Sequence, residues 1–140
     1  MTYNVLIFAY RKEGWTPEQF KDHYETKHLP LMQSIGGSLF PLAHTRRYLH
    51  REKTAAAEGG PTGNAYYPAT VPMGSQSDFD YDAIAELEFE DADHFQRFSA
   101  LLASPEFAPQ VAADTTEFMA AEKTKVVIIG DVIRTQRSSN

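Results

Sequence analysis

The side chains best suited to chemistry in this chain are its histidines, tyrosines and arginines. The sequence holds five histidines and no cysteine, which excludes thiolate nucleophiles, disulfides and cysteine-bound metals. Histidine has an unperturbed pKa of about 6.5, so it can give or take a proton at neutral pH. The sequence contains no phosphate-binding glycine loop for a nucleotide cofactor, no GxSxG elbow and no HExxH spacing. The remaining side chains therefore indicate general acid–base chemistry on a bound organic molecule.

His28 and His44 are the strongest catalytic candidates among the histidines. His28 lies two residues before Pro30, where an interrupted helix would free backbone groups and let the side chain point toward a sheet. The alternative for His28 is a histidine at a helix C-terminus, stabilised by the helix dipole. His44 lies in a predicted strand with Arg46 and Tyr48 on the same face. The alternative for His44 is a core histidine whose hydrogen bonds are satisfied.

The other three histidines are predicted to have no catalytic role. His23 should lie on the surface of a helix, and His94 should face solvent or help to cap the second helix. His50 lies near the end of a predicted strand. No two histidines show the local spacing of metal ligands, so the sequence predicts no metal site.

Arginines and aromatic residues could hold a flat organic ligand. Arg46 and Arg47 are adjacent in a predicted strand, so one guanidinium lies on each face, and only one of the two should bind a carboxylate or phenolate of a ligand. The candidates for an aromatic wall are Trp15, Tyr10, Tyr24, Phe40 and Tyr81. Ordinary core packing is the alternative for each of these aromatic residues. Asp80 and Asp82 are interpreted as solvated turn residues.

The first half of the chain predicts a strand, a helix and a second strand. The apolar run 3–11 is typical of a buried strand. A helix should begin at Thr16, with Pro17 in its first turn and Gln19 closing a capping box, and should end at the glycines 36–37. Residues 41–51 alternate in the manner of a strand with polar side chains on both faces.

The second half begins with a long connection and then repeats the strand–helix–strand order. Residues 52–81 show no useful helical or strand period, and their aromatic content favours a structured lid over a bare linker. The later elements are predicted as a half-buried strand at 82–90, a helix capped by Asp91, a further helical stretch at 105–119, and a central strand at 125–134.

This order predicts an α+β fold, namely a ferredoxin-like βαββαβ antiparallel sheet with helices on one face. A four-stranded sheet cannot leave its other face in water, so two copies should pack face to face as a dimeric α/β barrel, a homodimer that encloses a cavity. We expect the face that carries His44 to line this cavity. Residues 1–135 should form one domain, followed by a disordered tail at 136–140.

Composition narrows the classes of partner. The chain has 140 residues, of which 42% are hydrophobic and 23% charged, and this is typical of a packed globular domain. Its net charge of -6 disfavours nucleic acid and anionic membranes as partners. The apolar run at the N-terminus is too short for a signal peptide or a membrane span, which predicts a cytoplasmic protein.

Three stretches of the sequence carry a resemblance to a known family. The stretch LIFAYRKEGWTPEQFKDHYETKHLPLM resembles the EthD domain, a family of dimeric α/β barrels. The stretches FPLAHTRRYLHR and DFDYDAIAELEFED resemble the fungal branch of that family, which includes small decarboxylases from polyketide gene clusters that make anthraquinones. The resemblance covers about residues 6–131.

The resemblance implies a lyase of secondary metabolism: a cofactor-independent decarboxylase for a polycyclic β-keto acid of the atrochrysone carboxylic acid type. In this hypothesis His44 donates a proton or hydrogen bond to the ketone oxygen, and His28 or Tyr24 protonates the carbon. Arg47 or Arg46 orients the departing carboxylate. The fold also hosts other activities, so three alternatives stay open: polyketide cyclisation or dehydration, cofactor-free oxygenation of an anthrone, and a non-catalytic carrier of aromatic ligands.

Overall fold

Four strands form an antiparallel sheet in the computed structural model, which describes residues 2–139. In chain order the strands are β1 (Tyr3–Ala9), β2 (Ala43–Tyr48), β3 (Ala83–Phe89) and β4 (Lys125–Ile129), and the helices are α1 (Pro17–His23), α2 (Leu29–Gly36), α3 (Ala92–Leu102) and α4 (Ala108–Phe118). The order across the sheet is β2-β3-β1-β4, and every neighbouring pair is antiparallel. The prediction of a ferredoxin-like α+β fold is confirmed.

The strand register decides which side chains of β2 meet the helices. His44 pairs with Leu87 and Arg46 pairs with Ala85 across the β2–β3 ladder, and directly paired residues share a face of the sheet. Leu87 and Ala85 pack with Phe98 of α3 in the hydrophobic core. His44 therefore lies on the helix-covered face, and the expectation that its face lines a cavity between two sheets is corrected.

β4 lies at an edge of the sheet, whereas its apolar run predicted a central position. It pairs with β1 alone, and Val126 on its helix-side face is 56% exposed. The strand also ends at Ile129, and residues 130–139 form no helix or strand. Apolar composition indicates that a strand can be buried, but strand order depends on pairing, and β1 and β3 occupy the two central positions.

The first helix begins as the sequence predicts. Thr16 is the N-cap: its hydroxyl accepts from the backbone N–H of Gln19, and the Gln19 side chain accepts from the backbone N–H of Thr16. α1 then runs directly into a π-helix at Tyr24–His28, which continues into α2 with Pro30 in its first turn. The helix is thus not broken near Pro30 as the sequence predicts, but passes through this π-helix without interruption. Across residues 2–139, no helix is both long enough and apolar enough to cross a membrane.

Asp91 begins α3, as predicted, by accepting from the backbone N–H of His94 at 2.8 Å. The His94 ring is buried, and both of its nitrogens have partners. Nδ1 accepts from the backbone N–H of Glu90 at 3.1 Å, and Nε2 lies 2.9 Å from the carbonyl oxygen of Leu39. A solvent-facing His94 is therefore wrong, and its predicted alternative, a role at the helix start, is confirmed.

A buried ion cluster holds the long connection between β2 and β3. One carboxylate oxygen of Asp82 accepts from both Arg11 and Arg51, and the Arg51 Nε lies 2.8 Å from it. Both guanidinium groups also donate to main-chain carbonyls of the connection, which forms two short 3-10 helices at Ala55–Gly59 and Gln76–Phe79. Asp82 is buried, so its interpretation as a solvated turn residue is wrong.

Candidate active site

Three of the predicted catalytic side chains meet between the π-helix and β2. The hydroxyl oxygen of Tyr24 lies 3.3 Å from Nε2 of His44. The rings of Tyr24 and His28 are edge to face, with centroids 5.3 Å apart. Tyr24 is buried, while His28 and His44 are partly buried. The fold therefore brings Tyr24, His28 and His44 into one cluster, as the sequence hypothesis requires.

Asp114 of α4 is the residue of this cluster that sequence reasoning missed. Its Oδ2 lies 2.6 Å from Nδ1 of His28, and its Oδ1 lies 2.8 Å from Nε2 of His23. A signal was present: Phe107, Val111 and Phe118 mark the apolar stripe of this helix, and residue 114 falls on the same stripe at three- and four-residue steps. A carboxylate on an apolar stripe requires buried partners.

The π-helix explains why two histidines five residues apart reach the same carboxylate. In a regular α-helix residues five apart point about 140° away from each other. The wider π-turn adds a residue to the turn, so that His23 and His28 both face α4. His23 is only 4% exposed and its ring is stacked on Phe118 at 4.5 Å. The prediction of a surface position for His23 is wrong.

The surroundings of His28 give its two ring nitrogens different roles. Burial lowers the pKa of His28, and the hydrogen bond and negative charge of Asp114 partly oppose this. His28 is then neutral at physiological pH, with Nδ1–H donating to the Asp114 carboxylate. This tautomer leaves Nε2 as a basic atom. The pair is suited to accept a proton from a ligand and return it.

His44 is also held neutral, by a different set of groups. Burial, with the positive charge of Arg46, lowers the pKa of His44 from 6.5 to about 4. Burial also raises the pKa of Tyr24, so its hydroxyl remains protonated and donates to His44 Nε2. The Tyr24–His44 pair can therefore supply hydrogen bonds to an oxygen atom but carries no charge of its own.

The pKa of His44 predicts a loss of stability in acid. The unfolded chain binds a proton at His44 below about pH 6.5, whereas the folded chain does so only below about pH 4, so the free energy of unfolding falls as the pH drops through this window. The contribution is about 2 to 3 kcal/mol at pH 4. Urea unfolding of the wild type and of His44→Gln at pH 7 and pH 4.5 measures it.

The control for this measurement is His50→Gln, because His50 is exposed at the surface. The His44 variant should lose less stability between the two pH values than the wild type, while the His50 variant should follow the wild type. An equal loss in all three proteins would show that the proton affinity of His44 does not change on folding.

Arg46 is occupied by an ion pair with Glu25 of the π-helix. Its guanidinium donates to both carboxylate oxygens of Glu25, with Nη2 lying 2.9 Å from Oε1, and the hydroxyl of Tyr48 donates to the same carboxylate. The hydrogen bond from Arg46 lowers the pKa of Glu25. Arg47 is exposed on the opposite face of the sheet. Arg46 therefore ties β2 to the π-helix, and Arg47 is separated from His44 by the sheet.

The predicted aromatic wall is not assembled in one place. Phe40 lies near the cluster, with its ring 6.5 Å from that of His44. Trp15 contacts the far side of the cluster, where its ring is 5.7 Å from that of His23. Tyr10 and Tyr81 contact each other with ring centroids 6.1 Å apart on the face of the sheet opposite the helices, where Tyr81 also packs against Phe8.

An open groove of about 850 Å³ lies beside this cluster and shares Trp15 with it. Its lining also includes Arg11, Met119 and residues 62–64 of the long connection. None of Tyr24, His28 and His44 lines the groove. The connection therefore forms a wall of the groove, which the Asp82 ion cluster holds in place.

One group of side chains within residues 2–139 could hold a metal ion. Donor atoms of His23, Asp114 and Glu117 all lie within 4.8 Å of one another. His23 and Asp114 already satisfy each other through their hydrogen bond, and Glu117 is exposed. We therefore assign the contact between His23 and Asp114 to hydrogen bonding.

The fold and the cluster together define a small α+β domain with acid–base side chains between its helices and sheet. The chain belongs to the EthD family, because the family model for the EthD domain matches residues 12–122.

Two solved structures have a similar fold. An ethyl tert-butyl ether D (EthD) family protein from Bacillus halodurans C-125 is 16% identical with a TM-score of 0.55, over 93% of this chain and 99% of that protein. An EthD-like protein from Ralstonia eutropha JMP134 is 12% identical with a TM-score of 0.51, over 99% of this chain and 97% of that protein. A search of curated proteins found no match.

Proposed function

We propose that this protein is a cofactor-independent decarboxylase for a polycyclic aromatic β-keto acid of the atrochrysone carboxylic acid type. The observation that supports an acid–base enzyme is the pairing of His28 with Asp114 next to the Tyr24–His44 pair. One pair can move a proton and the other can donate hydrogen bonds, and both belong to a buried cluster. The choice of substrate rests on the resemblance to the fungal EthD proteins.

The proposed reaction uses the two pairs in turn. His28 Nε2 takes the proton of the substrate carboxyl group, and Asp114 stabilises the imidazolium ion that results. The carbon–carbon bond then breaks, CO₂ leaves, and the electron pair enters the neighbouring carbonyl to form an enolate. His44, whose Nε2 accepts from the Tyr24 hydroxyl, donates a hydrogen bond from Nδ1–H toward the enolate oxygen. The imidazolium returns its proton to the carbon, so no net proton is consumed.

A second candidate is aldol cyclisation or dehydration of an uncharged polyketide. The pairing of Arg46 with Glu25, and the position of Arg47 on the other face, favour it. Neither of these two guanidinium groups is free beside His44 to bind a substrate carboxylate. An uncharged substrate needs no such group, and proton transfer by His28 with a hydrogen bond from the Tyr24–His44 pair serves an aldol reaction equally well.

The proposal includes a homodimer in which the sheet faces opposite the helices pack together. On that face Val127 is 48% exposed, and Phe8 and Tyr81 make an aromatic contact with ring centroids 5.0 Å apart. A second copy would remove this apolar surface from water.

The test is incubation of the purified protein with a polycyclic β-keto carboxylic acid, with a chelator and no added cofactor, followed by mass spectrometry. Loss of CO₂ faster than the spontaneous rate supports the decarboxylase, and His44→Ala should lower this rate about 100-fold or more. The control is His50→Ala, at an exposed position.

The other outcomes contradict the decarboxylase in different ways. Loss of water supports the second candidate, and gain of oxygen would indicate an anthrone oxygenase. Tight binding of unchanged substrate would indicate a carrier, in which case the His44 substitution should change affinity alone.

A further inference from the structure

We propose that His23 is a positioning residue that holds the Asp114 carboxylate in place for His28, and thereby sets which nitrogen of His28 carries the proton. The inference rests on the proposed function, in which His28 is the group that moves a proton. His23 itself lies behind the carboxylate and is placed in contact with Asp114, not with the substrate.

The Asp114 carboxylate is clamped between two imidazole rings. Each of its oxygens has one histidine partner: His23 Nε2 at 2.8 Å from Oδ1, and His28 Nδ1 at 2.6 Å from Oδ2. With both oxygens held, the carboxylate cannot rotate without breaking a hydrogen bond in a partly buried site. The Asp114 side chain is 13% exposed, so water can replace a lost partner only in part.

The His23 ring is itself fixed by packing. It is stacked on Phe118 with centroids 4.5 Å apart and an interplanar angle of 21°. The ring of Trp15 makes an edge contact with the His23 ring, with centroids 5.7 Å apart and an interplanar angle of 70°. These two contacts fix the plane of the ring, and the hydrogen bond to Asp114 fixes which way Nε2 points within that plane. The faces and edge of the ring make the packing contacts, and Nε2 makes the hydrogen bond to Asp114.

The π-helix supports a functional origin for this arrangement. Without the added residue of the π-turn, the helix would direct His23 and His28 to different sides, and one carboxylate could not bind both. π-turns are rare, and they occur frequently at functional sites. A buried histidine that only filled space would not need this backbone.

The charges around His28 predict the direction in which its pKa changes when His23 is replaced. The titratable groups around His28 and His23 are Asp114 and Glu117 from α4, His44 from β2 and Tyr24 from the π-helix. The hydrogen bond and negative charge of Asp114 raise the pKa of His28 against the effect of burial. If the donor of His23 is lost, the carboxylate can turn away from His28 Nδ1, and the pKa of His28 falls.

The experiment compares His23→Phe, which keeps a stacking ring and removes the donor, with His23→Gln, whose amide can donate from a position near Nε2. The ring nitrogens of His28 are followed by NMR over a pH titration, which reports the tautomer and the titration midpoint without any substrate. His23→Phe should lower the midpoint and mix the two tautomers, and His23→Gln should restore both. His23→Asn, whose amide is too short to reach, is a second donor-free variant should the Phe variant fail to fold.

Turnover gives the second measurement. For the donor-free variants we expect kcat to fall about 10- to 100-fold with KM little changed, a fall that corresponds to the loss of one hydrogen bond to a charged group. The pH limb of kcat/KM should move in the same direction as the NMR midpoint. An unchanged midpoint and an unchanged tautomer in the donor-free variants would overturn the inference. Because the NMR readout needs no turnover, it stays decisive even if no substrate is turned over and the proposed function fails.

Discussion

Asp114→Asn should lower kcat/KM of the proposed reaction about 100- to 10,000-fold while leaving the protein folded. The amide that replaces the carboxylate keeps the shape of the side chain but cannot stabilise the imidazolium form of His28. It can also present its NH₂ group to His28 Nδ1. In the wild type this nitrogen lies 2.6 Å from Oδ2 of Asp114. The His28 proton would then move to Nε2, the atom that must accept a proton from the substrate.

The steady-state rate with the β-keto acid measures this effect, and His28→Ala should lose a similar factor. The double variant should lose little more than either single one, because residues that act as a unit are not additive. A matched control is Glu117→Gln, the same carboxylate-to-amide change less than one turn further along α4 at an exposed position. Losses in the Asp114 variant that are no larger than those of Glu117→Gln would remove the His28–Asp114 pair from the mechanism.

Asp82→Ala should lower the free energy of unfolding by about 3 to 5 kcal/mol, the largest effect on stability that we expect from a single substitution. Asp82 is the carboxylate partner of two guanidinium groups whose side chains are only 5% and 1% exposed, those of Arg11 and Arg51. Burial lowers the pKa of Arg11, and the negative charge of Asp82 opposes this. Without the carboxylate, two like charges remain buried together.

Urea unfolding measures the Asp82 effect, and Asp80→Ala provides the control. Asp80 lies two residues away at an exposed position, so its substitution should change the free energy of unfolding by no more than about 0.5 kcal/mol. Protease digestion adds a local readout, since Arg51 binds main-chain carbonyls of the connection. The Asp82 variant should be cut faster within residues 52–81. Equal stability of the two variants would show that the ion cluster does not hold the connection.

The sequence alone was sufficient for the features that depend on neighbours in the chain. The capping box of Thr16 and Gln19 and the N-cap at Asp91 were predicted at the residues where they occur, because such caps involve side chains within three residues of each other. The alternation along β3 likewise matches its buried and half-buried positions. These local signals, in the order in which they follow one another, are enough to predict the ferredoxin-like fold.

The split of Arg46 and Arg47 between two faces also followed from the two-residue period of a strand. The period does not say which face the helices cover. That depends on the pairing of β2 with β3, and it decided that His44 lies beneath the helices and Arg47 does not. The same pairing pattern put β4 at the edge of the sheet, although its apolar run predicted the centre.

The tertiary structure alone decided the partners of the site. Asp114 is 91 residues from His23 and 86 from His28, and Asp82 is 71 residues from Arg11. The residues next to Asp82 and His23 in the sequence do not indicate partners so far along the chain. Asp82 was therefore predicted to be solvated and His23 to lie on the surface. Their burial is possible because folding supplies an opposite charge or a hydrogen bond for each polar group, and these partners exist only in the folded chain.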